Sequence, residues 1–222
     1  MTRLLVDLSH PILAGMTTYP GLPGPVIETF VSREDSAARL ASGVSFHIGR
    51  LTMVANTGTY LDAPFHFHES GPDVAALALE RLVDVPAVVV DARDRTAVGA
   101  DAFADVGEVT GVAVLINTGW SRYWGSETYL GTDNPHLTRE AVDWLVAAGP
   151  ALVGIDSLNI DAVPDTSRPA HHGLLGAGIP IVEHLTALDA LPATGARLTV
   201  LPAPVVGMGT MPVRAVAIFD VP

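Results

Sequence analysis

Short apolar runs separated by turn residues set the rhythm of this chain. Residues 4–8, 46–54, 87–91, 112–116, 152–155, 198–201 and 214–219 each have the length and β-branched content of a strand. Several are apolar almost throughout, the pattern of strands covered on both faces. Helical periodicity is rarer. Thr138 stands as an N-cap before REAVDWLVAAG, with Glu140 in the first turn and Ala141, Trp144, Leu145 and Ala148 along one side. Residues 73–82 read as a second helix, and 180–191 as holding a short third. Strands outnumber helices and some are joined by them, so the pattern predicts a mixed α/β fold.

No segment repeats at a fixed period, and the turn-rich stretches at 19–25 and 202–204 are too short to be linkers. The expectation is one domain over residues 1–222. Apolar residues make up 49% of the chain and charged residues 16%, a composition that buries a core. The net charge of -12 repels phosphate backbones and no basic run offsets it, which argues against a nucleic-acid partner. No apolar run approaches the roughly 20 residues that span a bilayer. Asp7 and His10 interrupt the start where a signal peptide needs an unbroken apolar stretch, so a cytoplasmic location without a membrane is expected. The absence of cysteine removes thiolate nucleophiles and Cys-based zinc sites. Chemistry must come from His, carboxylates, Tyr or a metal.

Four of the eight histidines fall in two close pairs. Asp62, His66 and His68 follow a Thr57-Gly58-Thr59 turn, and an extended run over 65–68 would set both imidazoles on one face. His171 and His172 lead into an apolar stretch that ends at Glu183. Carboxylate oxygen and imidazole nitrogen together suit a divalent metal such as zinc or manganese. The same residue types also cap turns and decorate solvated loops, so spacing alone leaves both readings open.

The segment NTGTYLDAPFHFH, residues 56–68, resembles the motif His-x-Gly-Thr-His-x-Asp-x-Pro-x-His of the cyclase family, which includes bacterial kynurenine formamidases, isatin hydrolases and polyketide-cyclase-like proteins. Gly58, Thr59, Asp62, Pro64 and His66 occupy matching positions. Further matches follow in order: VDLSHPILAGMTTYPG, LINTGW, VGIDSLNID, HHGLLGAGIPIVEHL and MPVRAVAIF. The resemblance implies a swivelling β/β/α-like fold, a mixed sheet with flanking helices, and assembly as a homodimer or homotetramer. It also implies two metals, one on the first two motif His and the Asp, the other on that Asp plus a later His and Glu.

Here Asn56 and Tyr60 replace the first two motif His, and an amide or a neutral phenol is a poor ligand. The second set carries over to Asp62, His171 and Glu183, so one divalent metal, zinc or manganese, is expected rather than two. The resemblance makes a metal-activated water the nucleophile and His66 its proton shuttle, acting on a small amide or formamide substrate. Asn56, His68, Trp120 and His172 are candidate substrate contacts, and His68 or His172 a replacement ligand. Trp120, Tyr123 and Trp124 are candidates for an aromatic pocket, and His10 and Tyr19 for reaching it or a subunit contact. Asp156 and Asp161 read as turn caps.

Two other readings stay open at the sequence level. One is a metal-free cyclase, isomerase or lyase in which Tyr60 and His66 form an acid and base pair on an aromatic or polyketide-like intermediate. Without a cation, Asp62 and Glu183 would need a base nearby, for which Arg50 and Arg214 are the candidates. The other is a catalytically silent member that binds a small molecule.

Overall fold

Alternation along the central strands sends apolar side chains to two faces, and the chain folds so that both are covered. The computed structural model describes residues 2–221. In chain order it contains strand β1 (Thr2–Asp7), β2 (Val26–Val31), helix α1 (Arg33–Ala37), β3 (Ile48–Thr52), β4 (Tyr60–Asp62), β5 (Val85–Asp91), β6 (Ala97–Val98) and β7 (Ala113–Asn117). There follow β8 (His136–Leu137), α2 (Arg139–Ala148), β9 (Leu152–Ile155), α3 (Pro169–Gly176), β10 (Ile181–Glu183), β11 (Thr194–Pro202) and β12 (Thr210–Val221).

The large sheet has the order β1-β12-β11-β5-β7-β9-β10-β4. Strands β5, β7, β9 and β10 run parallel, while β1, β4, β11 and β12 meet their neighbours antiparallel. Strand β4 also pairs with β12, so the ladder from β12 through β11, β5, β7, β9, β10 and β4 closes on itself. Side chains from all of these strands, among them Leu61, Ala87, Leu115, Leu152, Val182, Leu198 and Ala217, form one cluster inside the ring. The alternate residues Val114, Ile116, Val153 and Ile155 form a second cluster with Ala141, Val142 and Leu145 of α2 and Leu174 and Leu175 of α3. The mixed α/β content agrees with the sequence pattern, and the flanking helices agree with what the resemblance implies.

Helix α2 forms where its signals placed it. The Thr138 side chain accepts from Ala141 N–H, and Gly149 closes the helix in the left-handed conformation at φ 66°. The two other predicted helices are corrected. Over 73–82 the Asp73 carboxylate accepts from the N–H groups of Ala75, Ala76 and Gly207. It ties a turn to a distant loop, and only a single 3-10 turn follows at Leu79–Arg81. Over 180–191 the β-branched Ile181 and Val182 slot between β9 and β4 as strand β10. The helix lies earlier, at α3. The predicted strand at 46–54 shortens to β3, which pairs with β2 in a hairpin outside the large sheet. Ile27, Phe30, Ile48 and Leu51 are exposed on that hairpin. Among the described residues no helix is long and apolar enough to cross a membrane.

Candidate metal centre

Strand β4 is only three residues long, yet its alternation determines the site. Leu61 points into the ring core, which leaves Tyr60 and Asp62 together on the other face. In the antiparallel pairing with β10, Val182 lies opposite Leu61 and Glu183 lies opposite Tyr60. Directly opposed side chains share a face, so Tyr60 O–H donates to Glu183 Oε2 at 2.5 Å. Glu183 Oε1 accepts from Ile160 N–H at 2.7 Å.

The third member arrives on α3. Asp161 receives the N–H groups of Ala170 (2.6 Å) and His171 (3.1 Å), capping a helix that Pro169 begins. The same carboxylate lies 2.7 Å from His171 Nδ1. A carboxylate only accepts, so Nδ1 carries the proton and Nε2 is aimed at the site. His171 Nε2 lies 3.6 Å from Glu183 Oε1 and 3.8 Å from Asp62 Oδ2. Asp161 therefore does more than the turn capping its sequence context suggests.

Asp62 and Glu183 are both completely buried. Burial first, and then Glu183, push Asp62 well above the usual carboxylate range. Glu183 is also raised by burial, against the pull of His171 and Tyr60. Burial alone would lower His171, but Glu183, Asp161 and Asp62 raise it to about 9 on the protein's own charges. Both Asp62 oxygens are buried without a hydrogen-bond partner among the described residues. An unpartnered buried carboxylate costs on the order of several kcal/mol unless a cation meets it. One ligand atom each from Asp62, His171 and Glu183 lies within 4.8 Å of the others, the one such group among the described residues. Two hard carboxylates and an imidazole fit one divalent cation.

The replaced positions stand beside this group. Thr210 O–H donates to Asn56 Oδ1, and Tyr60 is 2% exposed, its O–H donating to Glu183. Burial, then Glu183 and Asp62, lift the phenol well above its ordinary range. The run 65–68 is not extended, because Pro64–His66 winds into a 3-10 turn. His66 and His68 therefore part. His66 Nε2 comes to 3.8 Å from Asp62 Oδ1, with burial and the His171 charge lowering its pKa to about 4. Gly209 lets the chain pass here, since a Cβ would lie 2.7 Å from His66 Cα.

A cavity of about 300 Å³ opens over the group, lined by Tyr19, Leu22, Asn56, Tyr60, His66, Phe67, Asn159, Arg168 and His171. Three expected contacts fall elsewhere. The His68 ring lies 4.9 Å from the His172 ring, with Nε2 at 3.0 Å from the His172 carbonyl, so neither is placed as a ligand. Trp120 packs against Tyr123 and donates to the Tyr129 carbonyl. Arg214 pairs with Asp7 and Arg50 covers Phe30, so neither base neutralises the carboxylates. Asn159 and Arg168 had no sequence signal beyond their closeness to His171.

Behind Tyr60 lies a second buried group. Trp124 stacks on His10 at 3.9 Å, and Tyr129 O–H meets His184 Nδ1 at 2.8 Å. His10 thus sits against Trp124 rather than in the cavity. His184 holds a left-handed backbone at φ 57°, and its carbonyl accepts from Thr59 O–H. Burial lowers His10 to about 4, and burial with His10 nearby lowers His184 to about 3. Asp156 accepts from Thr118 N–H and O–H across the strand ends.

Known proteins share both sequence and architecture with this chain. It is 32% identical over 211 residues to a kynurenine formamidase of Bacillus cereus, covering 95% of each, and 32% identical over 215 residues to that of Bacillus mycoides, covering 97% of each. Isatin hydrolase A from Ralstonia solanacearum superposes with a TM-score of 0.82 at 26% identity, over 98% of this chain and 92% of the other. The family model described as "Putative cyclase" matches residues 6–162, and with these relatives it establishes that the chain belongs to the cyclase family.

Proposed function

We propose that this protein is a hydrolase of small amides or formamides, with Asp62, His171 and Glu183 holding one divalent cation. The observation that carries the reading is the Asp62 carboxylate: fully buried, without a hydrogen bond at either oxygen among the described residues, and facing an imidazole and a second carboxylate under an open cavity. When bound, the cation supplies Lewis acidity, polarising a carbonyl and lowering the pKa of a water. Zinc and manganese both suit the donor set.

The protein's own groups supply the rest. Asp161 fixes the tautomer and direction of His171, and Tyr60 with Ile160 N–H holds both Glu183 oxygens. His66 is 31% exposed and neutral near pH 7, so its free ring nitrogen takes a proton from the attacking water and returns it to the leaving nitrogen. The C–N bond breaks as the water oxygen bonds to the acyl carbon. The rival reading, with Tyr60 as a general acid, is less well supported because that phenol is buried and already bonded to Glu183.

The Bacillus relatives make N-formylkynurenine the first substrate to try. Stoichiometric metal in protein purified without chelator, and turnover that disappears on chelation and returns with zinc or manganese, is the expected result. Protein that neither binds nor is activated by either ion overturns the proposal. His66→Ala should remove turnover while metal content stays the same. A homodimer or homotetramer would find a contact on the apolar hairpin of β2 and β3, and light scattering tests that assembly.

A further inference from the structure

We infer that Arg168 forms a carboxylate subsite in the same cavity, so that the favoured substrates carry a carboxylate besides the scissile amide; this rests on the hydrolase reading above. All twelve basic residues of the chain are arginines, set against 24 acidic ones. Among the described residues, five of these arginines form ion pairs with Asp: Arg3, Arg93, Arg95, Arg197 and Arg214. Arg168 is one of the seven outside such pairs, and of these it is the one that lines the cavity over the candidate centre. It is half-buried in the cavity wall, and among the described residues no carboxylate lies within ion-pairing distance of it.

Its guanidinium touches only neutral acceptors, all at long range. Nη1 donates to Asn159 Oδ1 and the Ala162 carbonyl at 3.3 Å each, and Nη2 donates to Tyr19 O–H at 3.4 Å. The nearby Asp165 is engaged by Ser167 N–H and O–H. A guanidinium has five donors in a planar fork that matches a carboxylate, and these contacts leave much of that capacity free toward the cavity. Arg168 also holds a left-handed backbone at φ 47°, an unfavourable conformation for a side chain with a Cβ. Asn159 fixes the loop from the other side, its Oδ1 also accepting from Asp161 N–H. The loop that carries the acid behind His171 thus also positions a cation over the cavity.

The test compares formanilide with 2- and 4-formamidobenzoate, which differ from it only by a carboxylate. Wild type is expected to favour at least one isomer by about tenfold to a hundredfold in kcat/KM, mostly through KM, as a charge-assisted pair implies. That preference should collapse in both Arg168→Gln and Arg168→Gly, and return in part with Arg168→Lys. Glycine suits the left-handed backbone, so a collapse seen with Gln but not with Gly would trace to backbone strain and overturn the inference. Equal treatment of all three substrates by wild type, or an unchanged ratio in the variants, also overturns it. Should metal-loaded wild type hydrolyse none of the three, turnover of N-formylkynurenine decides the hydrolase reading, and calorimetric titration with benzoate decides the subsite alone. Binding weakened tenfold or more in Arg168→Gln and Arg168→Gly upholds it, and equal binding refutes it.

Discussion

Tyr60 separates two buried polar regions that meet the cost of burial in opposite ways. On one side His171 sits among Asp62, Asp161 and Glu183, and those charges raise it to about 9. On the other, His184 is equally enclosed, but Tyr129, Trp124 and His10 surround it and it falls to about 3. Burial is the same, and the neighbours decide the charge. The first region gathers negative charge and calls for a cation, whereas the second holds its imidazoles neutral by desolvation and aromatic packing.

Removing the carboxylate that defines the charged region should have the largest effect. Asp62→Asn is expected to abolish metal retention and to lower kcat/KM by roughly a thousandfold, about 4 kcal/mol. In chelator the same variant should melt higher than wild type, because the repulsion between two buried carboxylates is relieved. A lower melting point would mean that the pairing of Asp62 with His171 outweighs that repulsion. Next, Asp161→Asn releases the His171 ring from its anchor, and competition titration should show metal affinity weakened by about 10- to 100-fold.

Tyr60→Phe attacks the wall between the regions. It leaves Glu183 Oε2 without its donor and should cost about 1–3 kcal/mol of unfolding free energy in denaturant titrations. The smallest effect concerns the neutral side. His10 has a folded pKa of about 4, below its ordinary 6.5, so the unfolded chain takes up the proton first as pH falls. Its contribution to stability is complete above pH 6.5 and is lost toward pH 4. His10→Phe keeps an aromatic ring against Trp124 and should flatten the urea-midpoint profile across that window. An unchanged slope would show that His10 does not titrate on folding.

The central strands and α2 were legible because their local patterns agree with their tertiary surroundings. Strand β4 was not, since three residues are too few for periodicity, and only the ladders to β10 and β12 make them a strand. The reading of 73–82 as helical failed because Asp73 bonds across to Gly207. Residues 169–176 went unread as a helix because Gly173 and Gly176 hide its periodicity, and its N-terminal cap comes from Asp161. Asp62, His171 and Glu183 were legible as a candidate set only through their family positions. The divergence of His66 from His68, and of His171 from His172, depends on turn and helix geometry that spacing alone does not reveal.

Closure of the ring by β4 also bears on how the protein comes into being. Tyr60–Asp62 must wait for Ile181–Glu183 and then for Thr210–Pro212 before either ladder exists. Loops of that span close slowly, and long-range strand pairing is entropically delayed. During synthesis the centre therefore assembles only after Ile181–Glu183 has left the ribosome. Ring closure and completion of the candidate centre become late events, and a nascent chain exposes an open sheet edge until Thr210–Pro212 arrives.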